Sequence, residues 1–311
     1  MIAIALSGVL LYLALRGVEW GRVGTIVAHC RLEYLMLACF CSAFSYLARA
    51  FRWRMLLNAK EKLAYTTVLW ASSVGYLANS YLPARAGELV RTAMISSRSS
   101  LSKTYVFTTA MTERVIEFVI LVLMASLLSL TLAHRPVWLM RLLFLTTLGA
   151  VGATAFFLLL PWADRTRTGL VTHLPVSERM KDRLHGITES VTLALSALRD
   201  PLRLFQVCGA TTIVWTLDAT AAIILAHALG MNLLFAVAVL LSIGLAIGNI
   251  LPATPGAVGI LQFAAVEVLT PFHYTQTEAI AYILVAQAVS YVVVTSLGLV
   301  GLWRHRVVTA G

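Results

Sequence analysis

Charged residues are scarce in this chain. Asp, Glu, Lys and Arg make up 12% of its 311 residues, whereas an ordinary soluble domain carries about 25%. Hydrophobic residues account for 59% of the sequence. This imbalance excludes an ordinary soluble globular fold, and it predicts an all-α protein that crosses a membrane several times.

The sequence also lacks the common signatures of catalysis. It contains no G-x-S-x-G, no P-loop, no H-E-x-x-H and no glycine-rich dinucleotide fingerprint. Its four cysteines form neither a C-x-x-C pair nor a zinc pattern, and its seven histidines show no metal-ligand spacing. We therefore expect no metal and no cofactor, and we favour a role that is not enzymatic.

The few charges that are present are mostly basic, giving a net charge of +10. Such an excess is typical of the cytoplasmic loops of membrane proteins and suits contact with anionic lipid headgroups. The basic residues are dispersed between apolar stretches, which argues against a nucleic-acid partner. We expect lipid and membrane as partners and the bacterial cytoplasmic membrane as the location. A homo-oligomer or a partner lipid-modifying enzyme stays open, and so does the orientation of the N-terminus.

Eight apolar stretches are candidate membrane spans under the rule of about 20 apolar residues. The first is short, and one long hydrophilic segment separates the fifth span from the sixth. The candidate spans are 2–15, 32–50, 63–82, 105–132, 137–160, 204–229, 233–251 and 279–303. The predicted fold is therefore an all-α polytopic membrane protein with about eight transmembrane helices.

Two segments rich in proline and glycine interrupt this pattern. Residues 82–87 and 251–256 both follow an apolar span that carries an asparagine, Asn79 or Asn249, and they lie 169 positions apart (252 − 83). Helices broken at corresponding places in two halves often mark the binding site of a transporter. The alternative is that proline and glycine simply end helices at the membrane surface. The expected helix-breaking residues are Pro83, Gly87, Pro252, Pro255, Gly256 and Gly259.

Charged side chains follow the first interruption. Arg85, Glu88 and Arg91 are three residues apart, so they share one face if this segment is helical. In this arrangement two cations flank one anion at the end of a broken apolar helix. It would suit an anionic ligand.

A second group of charges, Glu113, Arg114 and Glu117, lies in the fourth span. Ionisable residues at membrane depth are costly and usually face the interior of a helix bundle. If this turn is at membrane depth, we expect it to pair with Arg85 or Arg91. The alternative is that the span begins later and leaves these charges in the interface.

Two further charged residues are ambiguous. Arg52 lies beside Trp53 at the end of the second span, and we favour an interfacial anchor over a lipid-phosphate ligand. Asp218 lies in the middle of the sixth span, where a carboxylate is costly unless it is paired or hydrated. It is either a proton-coupling residue or the partner in an internal salt bridge.

The hydrophilic segment 163–203 divides the chain. Its apolar residues recur at spacings of three and four, which predicts a basic amphipathic linker helix. We expect a first helical half at 1–162, with a re-entrant element near 83–95. The second half is expected at 204–311, with a re-entrant element near 252–268.

Four motifs in the chain resemble a known family. They are Arg-Trp-Arg-Met-Leu-Leu at 52–57, Leu-Pro-Ala-Arg-Ala-Gly-Glu-Leu-Val-Arg at 82–91, Glu-Arg-Val-Ile-Glu at 113–117 and Pro-Gly-Ala-Val-Gly at 255–259. Together they resemble the transmembrane-region family of lysylphosphatidylglycerol synthases, whose members are also described as flippase-like integral membrane proteins. The resemblance extends over nearly the whole chain.

This resemblance implies a bundle of about eight helices with re-entrant elements. It also implies handling of lipids with charged or glycosylated headgroups, often as one half of a flippase. The family commonly has Glu at the position of Gln262 and Asp at the position of Glu117. Lipid-modifying members carry a separate cytosolic aminoacyl-transfer domain, whereas this sequence stops at Gly311, eight residues after Trp303. We therefore do not expect the synthase activity.

The favoured hypothesis is a flippase-like lipid transporter that binds and moves an amphiphile with an anionic or glycosylated headgroup, such as a phospholipid or a polyprenyl phosphate. The alternatives are a membrane-embedded headgroup transferase and a lipid-binding partner subunit. Under the favoured hypothesis we expect no catalytic residue. The expected substrate-binding residues are Arg52, Asn79, Arg85, Glu88, Arg91, Glu113, Arg114, Glu117, Asp218, Asn249 and Gln262.

Overall fold

The computed structural model describes residues 2–82, 86–132, 137, 140–152, 154–155, 193–194, 200–250 and 255–309. Within these ranges the chain is helical, with short 3-10 turns and no β-strand, which confirms the all-α class. The predicted linker helix at 163–203 falls almost entirely outside these ranges. Pro83, Arg85 and Pro252 lie outside them as well.

Eleven helices organise the part of the chain that the structure describes. They are α1 (Ile2–Leu15), α2 (Trp20–Ala28), α3 (Leu32–Leu57), α4 (Tyr65–Tyr81), α5 (Gly87–Ser96), α6 (Lys103–Ser129), α7 (Met140–Gly152), α8 (Pro201–Ala228), α9 (Phe235–Ile250), α10 (Ile260–Leu269) and α11 (Gln276–Thr309). Short 3-10 turns at Pro255–Ala257 and Thr270–Phe272 flank α10. Apart from α2, α5 and α10, each helix corresponds to one of the predicted spans.

Three of these helices are long and apolar enough to cross a membrane by themselves. They are α3 with 26 residues, α8 with 28 and the first 29 residues of α11. At 1.5 Å per residue each is about 39 Å or longer, which exceeds the ~30 Å hydrocarbon core of a bilayer. α6 has 27 residues, but its charged residues distinguish it from an ordinary apolar span. α4 and α9 are shorter, with 17 and 16 residues.

Local sequence explains where two of the long helices begin. The Ser102 hydroxyl accepts a hydrogen bond from the Tyr105 N–H at 3.2 Å, so it caps α6. The Asp200 carboxylate caps α8 by accepting from the Leu202 N–H at 3.1 Å, and Pro201 fills the first helical position. Proline suits that position because its missing N–H would have no partner inside the helix.

The nine-residue helix α2 was not expected from the sequence. It packs against α11, and its Arg22 lies 3.7 Å from the Glu278 carboxylate at the start of that helix. Nine residues are too few to give a convincing apolar pattern, so the sequence alone did not reveal it.

α4 and α5 form an antiparallel helical hairpin held together by glycine. A Cβ atom on Gly87 would lie 1.9 Å from the Gly75 carbonyl oxygen, and a Cβ on Gly75 would lie 3.0 Å from the Cβ of Arg91. The two backbones are therefore in direct contact at Gly87. Asn79 completes the hairpin, because its side-chain oxygen accepts from the Gly87 N–H at 2.9 Å.

α9 and α10 form a second antiparallel hairpin. Gly244 faces Val268, and Gly248 faces Ile260, so glycines on the first helix again permit close approach. The chain enters α10 through a tight turn in which Gly256 has φ 72° and Gly259 has φ 90°. These values favour glycine.

The other helices pack around the two hairpins in a regular order. α3 lies along α8, α4 lies along α11, and α6 lies along α9. α5 also contacts α6, and α10 also contacts α11. Gly298 and Gly301 let α11 approach α4 closely, since a Cβ at these positions would meet Leu77 and Val74. Small residues at helix contacts of this kind are common in membrane proteins.

Candidate functional site

Six charged side chains from α3, α5 and α6 form a closed ring in which cations and anions alternate. Among them, the Arg52 side chain is fully buried. The Arg52 Nη2 atom lies 2.7 Å from Glu113 Oε1 and 2.5 Å from Glu117 Oε1. In order around the circle, the members of the ring are Glu117, Arg52, Glu113, Arg91, Glu88 and Arg114.

Arg91 continues the ring from Glu113 to Glu88. Its Nη1 donates to Glu113 Oε2 at 2.9 Å, and its Nε donates to Glu88 Oε2 at 2.6 Å. The guanidinium also lies over the ring of Trp53, 4.4 Å from the centroid, a distance at which a cation is attracted to the aromatic face. Glu88 and Arg91 are three residues apart on one helix face, as the sequence predicted.

Arg114 closes the ring. Its Nη2 donates to Glu88 Oε1 at 2.8 Å, and its Nη1 donates to Glu117 Oε2 at 2.7 Å. Its side chain is 30% exposed, whereas those of Arg91 and Glu113 are 2% and 1% exposed. One edge of the ring therefore reaches the surface of the bundle while the rest is enclosed.

A branch joins the ring to α8. Arg49 Nη1 donates to Glu117 Oε1 at 2.7 Å, and its Nη2 donates to Asp218. The Ser45 hydroxyl donates to the other oxygen of Asp218 at 2.5 Å. Glu117 thus binds three arginines, and an ion pair connects α3 to α8.

The ring and its branch carry no net formal charge, because four arginines face four carboxylates. Each arginine binds two carboxylates, and Arg52 also approaches the Thr211 hydroxyl at 3.4 Å. Breaking a buried pair by removing one partner costs about 3–5 kcal/mol, since it leaves an uncompensated charge. The arrangement is therefore held tightly, and an incoming anion would have to displace a carboxylate.

These contacts bear on three interpretations that the sequence left open. The anchor interpretation of Arg52 is wrong, because its side chain is buried among carboxylates rather than placed at an interface. The expected pairing of the Glu113–Glu117 turn with Arg91 is confirmed. Asp218 is the partner in an internal salt bridge, with Arg49 as the other member.

Sequence reasoning missed Arg49. It lies between two alanines near the end of the predicted second span. The rule that intramembrane ionisable residues are usually functional would have singled it out, and so would the need for a cation to balance Asp218.

The second interruption is organised by amide side chains. The Gln262 side-chain oxygen accepts from the Gly259 N–H at 2.7 Å, and its nitrogen donates to Gln287 at 2.6 Å. Gln287 in turn donates to the Gly256 carbonyl at 3.3 Å. Gln262 thus stabilises the turn before α10. This turn and α5 both pack on α4, so the two interruptions share a neighbour. The side chain of Asn249 is outside the described part.

A partly open cavity of about 340 Å³ lies between α3, α8, α9 and α11. Arg49 and Asp218 form its charged end, beside the aromatic rings of Tyr46 and Trp215. Three serine hydroxyls line it, and most other lining residues are apolar. The serines are Ser42, Ser242 and Ser290, and the apolar residues include Ala221, Ala222, Leu225, Leu241, Leu245, Ala246, Ala286 and Val289. The cavity therefore joins an apolar body to a polar end.

No group of three His, Cys, Asp or Glu side chains is placed to hold a metal among the residues that the structure describes. The four cysteines are all free thiols. The site therefore offers hydrogen bonds, a paired charge and apolar surface.

The family model for the lysylphosphatidylglycerol synthase transmembrane region matches residues 1–298. The chain belongs to this family. Membership confirms the resemblance carried by the sequence motifs, and with the apolar helices it identifies an integral membrane protein. The family suggests a lipid-related membrane function. Among curated proteins, none gave a significant match to this chain.

Proposed function

We propose that the protein is a flippase-like transporter that binds the polar headgroup of a membrane lipid in the cavity and moves it across the bilayer. The observation that carries this proposal is the cavity itself, whose apolar walls end at the Arg49–Asp218 pair. Lipids have the same division between apolar and polar parts. Because the cavity is partly open, the headgroup can reach this polar end while the acyl chains extend past the apolar walls to neighbouring lipids.

The charges favour one of the two headgroup classes left open by the sequence. Since each of the four arginines is bound to carboxylates, an anionic headgroup finds no unpaired cation in this network. The serine hydroxyls, Tyr46 and the Asp218 carboxylate can instead bind hydroxyl groups. We therefore favour a glycosylated headgroup, which would lie against the aromatic rings of Tyr46 and Trp215.

The two hairpins support a transport mechanism. α5 and α10 have 10 residues each, so each is about 15 Å long, half of the ~30 Å apolar thickness of a bilayer. We propose that they are re-entrant segments that enter the membrane and return. Broken helices of this kind surround the binding sites of many transporters, in which one half of the molecule rocks against the other.

Reconstituted vesicles test this function. Purified protein is placed in vesicles that contain a trace of a fluorescent glucosyl lipid or a fluorescent phosphatidylglycerol, and the outer leaflet is bleached chemically. We expect the protein to expose the inner pool of glucosyl lipid to bleaching faster than it exposes that of phosphatidylglycerol. Equal rates in protein-containing and empty vesicles would contradict transport. Faster movement of phosphatidylglycerol would contradict only the choice of headgroup.

An Asp218→Asn variant connects the activity to the cavity. It keeps the size of the side chain but removes the carboxylate that binds Arg49 and Ser45. We expect the rate of glucosyl-lipid movement to fall about tenfold, the effect of losing ~1.4 kcal/mol. Glu278→Gln is the matched control, because this carboxylate belongs to the α2–α11 contact. Unchanged transport by Asp218→Asn would contradict a role for the cavity.

A further inference from the structure

The helices before and after the 163–203 segment contact one another in matching order. α3 and α8 lie against each other, and each is followed by a hairpin and a long helix: α4, α5 and α6 in one case and α9, α10 and α11 in the other. α4 packs on α11, and α9 packs on α6. Exchanging the two sets of helices reproduces the same contacts, as expected for two repeated halves.

The sequence offset between the two interruptions also aligns these helices. Adding 169 positions (252 − 83) takes Gly75 to Gly244 and Gly87 to Gly256, so glycines of both hairpins coincide. The same offset takes Tyr46 to Trp215 and Arg49 to Asp218. The ion pair between α3 and α8 therefore joins two equivalent positions, one from each half.

The same alignment relates the cavity to the ion network. The cavity is lined by Ala221, Ala222 and Ala286. Their counterparts in the first half are Arg52, Trp53 and Glu117, which fill the interior there. Further pairs follow the same rule: Tyr282 corresponds to Glu113, Leu245 to Tyr76, Ser42 to Thr211 and Ile260 to Arg91.

We infer that the chain contains two equivalent chambers, a filled chamber in the first half and an open chamber in the second, and that the lipid headgroup binds only in the open one. The filled chamber holds the ring, whereas the open chamber is the 340 Å³ cavity. The inference rests on the proposed function for the identity of the occupant. It places the binding site on the side of Asp218 away from Arg52, rather than among the ring residues.

Side-chain size accounts for the difference between the chambers. Three positions that are arginine, tryptophan and glutamate in the first half are all alanine in the second. The small side chains therefore leave a partly open space of about 340 Å³ between four helices, with room for another molecule. The Tyr282 hydroxyl, which lies 3.4 Å from the Ala222 carbonyl oxygen, and the three serines supply hydrogen-bonding groups around that space.

A photoreactive lipid tests this placement. A glucosyl lipid that carries a diazirine beside its headgroup is added to the full-length protein in vesicles, irradiated, and located by mass spectrometry of peptides. We expect labels on 215–225, 241–246 and 282–290. Labels concentrated on 52–57 and 113–121 would overturn the inference, and so would labels on neither set.

A cavity-filling variant provides the second measurement. Ala222→Trp copies the residue of the filled chamber, and we expect it to reduce labelling of the open chamber about tenfold. Gly209→Trp is the matched control, since it adds the same side chain to the same helix where no atom lies within 4 Å. Equal labelling of the two variants would overturn the inference. The protein could instead be labelled in the open chamber but fail to move lipid in the bleaching assay. This result would contradict transport but would still support the binding site.

Discussion

The two chambers are built from equivalent helices but differ in what occupies them. In the first, arginines and carboxylates fill the interior and bind one another. In the second, alanines leave a cavity whose charged end is the Arg49–Asp218 pair. This difference in side chains shows that one helix arrangement can enclose either an ion network or a cavity. The filled chamber joins α3, α5 and α6 through ion pairs, and under the proposed function the open chamber gives room for a headgroup.

Removing the Arg52 cation from the ring should have the largest effect on stability. Arg52→Met keeps an apolar chain of similar length but leaves two buried carboxylates with fewer partners, so we expect a loss of about 3–5 kcal/mol in the free energy of unfolding. Thermal unfolding in detergent measures this effect. The control is Arg54→Met, because Arg54 donates to the Leu63 carbonyl outside the ring. Equal loss in both variants would contradict a special role for the ring.

Opening a cavity in the filled chamber should lower the free energy of unfolding by nearly as much. Trp53→Ala removes a fully buried ring that lies under Arg91, and we expect destabilisation of about 3 kcal/mol from the resulting cavity. The readout is again the unfolding temperature in detergent. Trp303→Ala is the control, since Trp303 is exposed on α11. A Trp53 variant as stable as this control would show that the first half tolerates an open chamber.

Glycine variants in the two hairpins should have effects of intermediate size on stability. Gly87→Ala would force a methyl group to 1.9 Å from the Gly75 carbonyl, and we expect a loss of about 1–3 kcal/mol through overpacking. Gly248→Ala would place a methyl group 2.9 Å from Ile260 Cγ2, a side-chain atom rather than a backbone atom, so it should cost less. Gly149→Ala meets nothing within 4 Å and serves as the control for helix propensity. A reversed order of the two hairpin variants would contradict the contacts described.

Filling the open chamber should have the smallest effect on stability. Ala286→Leu adds a side chain into existing space, so we expect the free energy of unfolding to change by less than about 1 kcal/mol. Movement of glucosyl lipid should nevertheless slow, because the added atoms occupy the volume for the headgroup. Unfolding scans and the bleaching assay on the same preparation measure both quantities. Large destabilisation with normal transport would contradict the account of this chamber.

Local sequence rules predicted part of this structure. The i,i+3 pair of Glu88 and Arg91 follows from helix spacing. Apolar length identified the long helices. The ring could not be derived in the same way, since it joins Arg52 to residues 61 and 65 positions away, and pattern rules placed Arg52 at an interface.

The cavity was hidden for a different reason. Its defining residues, Ala221, Ala222 and Ala286, occur in any apolar helix, so alanine at these positions carries no signal by itself. The alanines indicate a cavity only when they are compared with the larger residues at the equivalent positions of the first half. Asp218 was noticed because a charge in a span is unusual. Its partner Arg49 needed the contact between α3 and α8 to be recognised.

A density map of the full-length protein in lipid nanodiscs that contain a glucosyl lipid tests the central claim most directly. We predict headgroup density between the Arg49–Asp218 pair and Ser242, with the ring around Arg52 intact and without lipid. Headgroup density among Arg52, Glu113 and Arg91, with the 340 Å³ cavity closed by protein side chains, would contradict the account.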